Sequence, residues 1–299
     1  MKNVKLLLLV WVVALLAACG TTRTVPITGR KQNLMVSNEE IMSLSNKEYT
    51  QYMASAKKST NTANTAMVKR VGQRLATAVE DYLKANGLSS EVKEYSWEFN
   101  LVQDKSANAF CLPGGKIVVY EGLLPYTQNE AALAVVLGHE IAHAVAKHSA
   151  EQLSKQIKQQ YGTQILSGVL NAATGSNVGS YAAVLAQQGL KLRNLKYSRD
   201  HESEADHMGL IFAAMAGYDP QVAIPFWKRM SNGNSNQSDF LSDHPSDAKR
   251  IAALQQEMPE ALKYYQAATK TAQTVTAGKT TATKKATATK KTTAKSSRS

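Results

Sequence analysis

Cysteine is almost missing from this chain: among 299 residues only Cys19 and Cys111 occur. With Cys19 read as modified, as argued below, neither a disulfide framework nor a cysteine-built metal site is available. Beyond the N-terminal leader no apolar run reaches ~18 residues, so the sequence supplies no transmembrane helix. Acidic residues are outnumbered, 23 against 35 basic ones, giving a formal charge of +12. Apolar residues are not scarce. At 43 % of the chain they suffice for a sizeable core, in one catalytic domain rather than two.

The two ends read differently from the middle. Lys2 and Lys5 precede an apolar run at residues 6–18, too short to span a bilayer and typical of a leader. It ends in Leu16-Ala17-Ala18-Cys19, which resembles a bacterial lipobox. Residues 1–18 are therefore expected to be a signal peptide, and Cys19 a lipidated residue that anchors the chain to a membrane. Gly20 rather than an aspartate after it resembles sorting to the outer membrane, facing the periplasm. Residues 19–30 read as a linker and 31–268 as the folded domain. From residue 269 the chain is almost wholly Thr, Ala, Lys and Ser, and its eight basic residues account for most of the net charge. So little apolar surface predicts a disordered tail. A solvated tether without a partner is the favoured reading of such a tail. Its paired lysines offer a contact for an anionic envelope polymer as the alternative, while the lack of interleaved aromatics argues against specific nucleic-acid recognition.

The chemistry lies in His139-Glu140-Ile141-Ala142-His143, the HExxH pattern. Residues i and i+4 of a helix share a face, so both imidazoles reach one Zn²⁺ ion. Glu140 sits about 100° around the helix from His139, which suits a base for the attacking water better than a ligand. Thr127-Gln128-Asn129-Glu130 has the form of a capping box and predicts a helix start near 128. The run that follows, from Ala131 to Ala146, is apolar around most of its circumference and predicts a buried helix. Two histidines and a glutamate inside such a helix need a partner, and a metal supplies one.

A third protein ligand must come from elsewhere. The positions where a metzincin carries Gly and His hold Ala146 and Ser149, which excludes that class. His148 reads as a solvated residue near a helix C-terminus. Downstream, Glu202 and Asp206 are spaced to share a helix face, and either can bind zinc while the other orients a ligand histidine. Glu204, nearly opposite Glu202, reads as a solvated charge. Cys111 reads as a small buried apolar residue, not a nucleophile.

HExxH followed by Glu202-Ser203-Glu204-Ala205-Asp206 resembles the gluzincins related to the CAAX prenyl protease, HtpX and the mitochondrial Oma-type protease. Asn108-Ala109-Phe110 with 113–119 is similar to that family's strand beside the cleft, and Ser242-Asp243-His244-Pro245 with Arg250 to its C-terminal His-Pro element. The resemblance implies an α+β, mainly helical, zincin-type domain holding one zinc. It makes Glu202 the third ligand, with Asp206 and Arg250 behind the ligands. Asn108 and His244 become candidates to stabilise the oxyanion, and His244 alternatively a fourth ligand that closes the site.

Elsewhere, 38–52 and 65–86 read as helices, 94–102 and 116–120 as strands, and 149–197 as mostly helical with a flexible loop at 174–179. The strand at 116–120 is expected to be an edge onto which an extended polypeptide can add. The expected function is metal-assisted hydrolysis of extended or unfolded polypeptides, with Glu140 as base. The competing class is a non-proteolytic or latent zinc-binding chaperone or scaffold.

Overall fold

The computed structural model describes residues 21–171, 179–232, 240, 244 and 248–293. The leader and Cys19, nearly all of the loop expected at 174–179, and residues 233–239 lie outside the described residues.

A hairpin opens the fold, with β1 (Thr21–Thr24) antiparallel to β2 (Lys31–Leu34). The sequence suggested a linker here. The segment is folded instead, because Val25 is buried in the main core and Arg23 and Gln32 donate to carbonyls of the metal helix, Val145 at 3.0 Å and Ala146 at 2.9 Å. Two helices follow, α1 (Asn38–Ser55) and α2 (Thr62–Ala85), capped by the Ser37 and Asn61 side chains. Along α2, Val68, Val71, Leu75, Val79 and Leu83 form the buried stripe that 3.6-residue periodicity demands.

The sheet has three strands, β3 (Glu98–Val102), β4 (Ala109–Leu112) and β5 (Lys116–Tyr120), in the order β3-β5-β4. The strand at 116–120 is therefore central, parallel to β3 and antiparallel to β4. This corrects the expected edge: β4 is the strand with an open side toward the cleft. β3 is shorter than the alternation suggested, but Tyr95, Trp97 and Phe99 still stack in line, with centroids 4.6 and 6.4 Å apart.

Helix α3 (Glu130–Val145) begins two residues later than expected. Gln128 adopts a left-handed φ of 64°, and the Asn129 side chain, not Thr127, caps the helix by accepting from the Ala132 amide. Nearly every residue of α3 is buried. Then come α4 (His148–Asn171), α5 (Gly179–Gln187), α6 (Arg199–Met215), α7 (Ala223–Asn232) and α8 (Ala248–Thr293).

Helices α3 and α6 cross where two glycines meet. A Cβ on Gly138 would lie 2.6 Å from the Gly209 carbonyl oxygen, and one on Gly209 would lie 2.6 Å from the His139 nitrogen. Only glycine permits that approach, and it brings Glu202 and Asp206 of α6 to the histidines of α3. The backbone of α8 continues as helix into the segment expected to be disordered. Alanine and lysine favour a helix there, while the many threonines and Gly278 oppose it, so local propensity does not account for the extension. Among the described side chains of its first part, Leu254 and Ala261 are buried and Tyr264 and Tyr265 lean on the core. Among the described residues no helix is long and apolar enough to cross a membrane. The architecture is α+β and mainly helical.

Candidate metal centre

His139, His143, Glu202 and His244 each present a donor atom within 4.8 Å of the others, and all four residues are buried. The first two stand on successive turns of α3, and Glu202 on the first turn of α6, which Ser198 caps. His244 is held by its amide donating to Phe240 O at 2.7 Å and by Arg250 donating to its carbonyl at 3.2 Å.

The surrounding hydrogen bonds dictate which ring nitrogens carry protons. Carboxylates only accept, so His139 Nδ1–H donates to Asp206 Oδ1 at 2.9 Å, leaving Nε2 a lone pair. On the other side, His148 Nε2–H donates to Glu204 Oε2 at 2.9 Å. His148 Nδ1 must then accept, and it lies 2.9 Å from His143 Nδ1, so that nitrogen carries the proton and His143 Nε2 is also bare. The two bare Nε2 atoms face each other across 3.0 Å. Lone pairs so placed repel unless a cation lies within reach of both. This donor set, imidazole nitrogens with one carboxylate, is the one zinc prefers. The residues fit the ion.

Electrostatics agree at Glu202 and His143. At His139, by contrast, burial, which lowers the imidazole, is outweighed by the Asp206 and Glu202 carboxylates, which raise it above its ordinary value. Burial pushes Glu202 up, but His244, His139 and His143 overcome it and hold its carboxyl far below the usual range, so it is a permanent anion. Burial lowers the His143 imidazole well below its ordinary value, which keeps it neutral and able to ligate. For Asp206, burial is outweighed by Arg250, which bonds both carboxylate oxygens and rests 3.7 Å over the Trp227 ring. Glu140 is the exception in this network. Burial raises its pKa to about 7, and its Oε1 is buried without a hydrogen-bond partner, 3.5 Å from His244 Nε2. Its other oxygen accepts from the Cys111 amide on the open side of β4.

A cavity of about 70 Å³ adjoins the cluster, with Asn108, Cys111, Glu140, Tyr197 and His244 among its walls. Asn108 therefore lies in the cleft, though its Oδ1 accepts from the neighbouring Ala109 amide at 2.8 Å. The Cys111 thiol is buried and pushed well above its ordinary pKa, as a packing residue's would be.

Two sequence-based expectations fail here. His148 is not solvated but 0 % exposed, and Glu204 is not a free surface charge but is bonded to His148, Thr28 and Arg30. Both arise from contacts between residues 56 positions or more apart, which helical periodicity cannot reveal. Tyr197, unmentioned by any motif, stacks on His143 with centroids 4.2 Å apart and bonds Ser149 through its hydroxyl at 2.9 Å. A lone aromatic in a polar stretch gives no sequence signal for that role.

An HExxH helix crossed by a carboxylate-bearing helix, under an antiparallel strand whose outer amide holds the glutamate, defines a zincin-type metallopeptidase fold with zinc as its metal. Residues 63–258 match peptidase family M48, and the chain belongs to that family. It is similar to the mitochondrial metalloendopeptidase OMA1 of Arabidopsis thaliana, 40 % identical over 199 residues that cover 61 % of this chain and 36 % of that protein. Against the Homo sapiens OMA1 metalloendopeptidase it is 31 % identical over 245 residues, 80 % of this chain and 46 % of the relative. The beta-barrel assembly-enhancing protease of Escherichia coli is 24 % identical over 161 residues, 52 % of this chain and 33 % of that protein. The chain thus spans between a third and a half of the length of these curated relatives.

Proposed function

We propose that this chain is a zinc-dependent endopeptidase of the bacterial envelope, anchored through lipidated Cys19, that hydrolyses unfolded or damaged polypeptides. The observation that carries the reading is the pair of bare Nε2 atoms on His139 and His143, converging with Glu202 beside a buried, half-satisfied Glu140. His139, His143 and Glu202 hold the metal in this reading. When bound, zinc polarises the scissile carbonyl and makes water a competent nucleophile near neutral pH. Glu140 takes the proton from the attacking water and passes it to the leaving amine, a role that suits a carboxyl whose pKa burial has brought to about 7. Asp206 and Arg250 keep His139 in its metal-facing tautomer. Asn108 borders the cleft from the start of the edge strand. The substrate lies along β4, whose open side bonds backbone rather than side chains and so accepts many sequences.

His244 supports a second aspect of the reading. Its Nδ1 is 3.1 Å from His139 Nε2 and 3.0 Å from Glu202, the position of a fourth ligand rather than a distant donor. The resting site is closed by it, and substrate must displace it. The 31–268 domain, completed by the first strand and turn of the hairpin, carries the chemistry.

Digestion of unfolded casein by the zinc-loaded protein tests the activity. Cleavage that disappears with Glu202→Ala and with a chelator is expected. Zinc-loaded protein that binds casein but never cleaves it, even with His244→Ala, would instead support the chaperone or scaffold class.

A further inference from the structure

Behind His143, on the side away from the cleft, runs a line of polar groups that the hydrolytic reading does not use. His143 Nδ1–H donates to His148, His148 donates to Glu204, and Glu204 accepts from Arg30 Nε at 2.9 Å and from the Thr28 hydroxyl at 2.5 Å. Arg30 ends the line with two parallel bonds to Glu151 at 2.8 and 2.7 Å. The His201 ring stacks on His148 with centroids 4.4 Å apart and fixes its plane.

Each link has one direction. Glu204 is flanked by the Arg30 guanidinium and can only accept, so His148 must donate from Nε2 and accept at Nδ1. That acceptor compels His143 to carry its proton on Nδ1. An imidazole binds metal through its bare nitrogen, so the line decides whether His143 is a ligand at all. Arg30 and Thr28 lie in the turn of the N-terminal hairpin, whose Arg23 and Gln32 also hold the last carbonyls of α3. Docking of the hairpin and the state of the ligand ring are therefore physically connected.

We propose that His148, Glu204 and Arg30 form a positioning line that fixes the metal-facing tautomer of His143 and makes zinc affinity depend on the docked N-terminal hairpin. This rests on His143 being a zinc ligand. Outer partners of metal-bound histidines typically contribute ~10–100-fold in affinity.

The test is zinc affinity of the full chain, measured by competition with a chromophoric chelator, together with the visible spectrum of the Co²⁺-substituted protein. His148→Phe, which keeps the ring shape but neither hydrogen bond, should weaken zinc ~10–100-fold and shift the Co²⁺ bands. His148→Gln, whose amide both accepts and donates, should recover part of the loss. Arg30→Ala, at the accessible end of the line, should weaken zinc in the same direction with the helical circular dichroism intact, and it stands in should His148→Phe not fold. Wild-type affinity and spectrum in Arg30→Ala, or a lowered melting temperature with neither altered, would overturn the proposal. His143→Ala separates the two readings. If it retains tight zinc, the ligand assignment fails; if it loses zinc while His148→Phe and Arg30→Ala do not, only the positioning line fails.

Discussion

The Cys111 amide donates to Glu140 Oε2 across 3.1 Å, tying the proposed base to the open edge of the strand along which substrate is expected to lie. That bond fixes one carboxylate oxygen and leaves Oε1, buried and unpartnered, aimed into the cluster. A side chain so held needs little reorganisation to take a proton.

Glu140→Gln keeps an oxygen for the Cys111 amide and removes only the proton acceptor. Zinc content and fold should be unchanged while turnover on casein falls ~10²–10⁴-fold, the usual worth of a general base. Metal analysis beside a digestion assay checks both halves. Wild-type turnover in this variant would remove Glu140 from the mechanism.

The Gly138–Gly209 contact predicts a different failure. A methyl on either residue meets backbone at 2.6 Å, so α3 and α6 must separate. Overpacking of this kind usually costs ~1–3 kcal/mol. Here it also carries Glu202 away from the histidines. Gly209→Ala should therefore lower zinc affinity as well as the melting temperature. A melting shift alone, with zinc affinity retained, would show that the crossing does not set the ligand geometry.

Acid should loosen the hairpin side of the molecule. Burial disfavours ionised Glu151, yet bonds from Arg30 and His201 win and bring its pKa from 4.5 down to about 2. A carboxyl depressed on folding contributes stability above its unfolded pKa and loses it as pH falls toward the folded value. Between pH ~4.5 and ~2 the protein should lose stability with a slope that Glu151→Gln flattens. Urea unfolding midpoints across that range measure it. Equal slopes in both proteins would mean the Arg30 contacts do not stabilise the fold.

How much of this was legible beforehand depended on whether the signal was local. The buried metal helix announced itself through its apolar circumference and its i, i+4 histidines. Glu202 and Asp206 share a face, so spacing alone could not say which binds; resemblance chose Glu202, and the structure places it nearer the cluster, with Asp206 behind His139. β4 is buried at all four positions and so has no alternation to read, which is why β5 was mistaken for the edge. His148 and Glu204 looked like solvent charges because their partners come from distant elements. Their concentration beside apolar helix faces was the only available hint.

The proposed anchoring rests on the lipobox-like sequence before Cys19. Since no described helix is long and apolar enough to cross a membrane, Cys19→Ser should move the protein from the membrane fraction to the soluble one. Fractionation after a carbonate wash decides the matter. Retention in the membrane would require another attachment, through the tail or a partner.

His244 separates two chemistries by the sign of one result. Its Nδ1 lies within 3.1 Å of both His139 and Glu202, and its Nε2 lies 3.5 Å from Glu140, so one ring would occupy the fourth position of a metal held there while lying beside the proposed base. It comes from a segment separate from the two ligand helices and is fastened by backbone contacts to Phe240 and Arg250. In the proposed reading it is a ligand that substrate displaces. His244→Ala should therefore vacate the fourth position and raise basal turnover on an unfolded substrate. The opposite outcome, a fall of ~10²–10³, would assign the ring to the developing oxyanion. Zinc affinity separates these further, since a ligand's loss weakens binding in the resting protein whereas the loss of an oxyanion donor leaves it untouched.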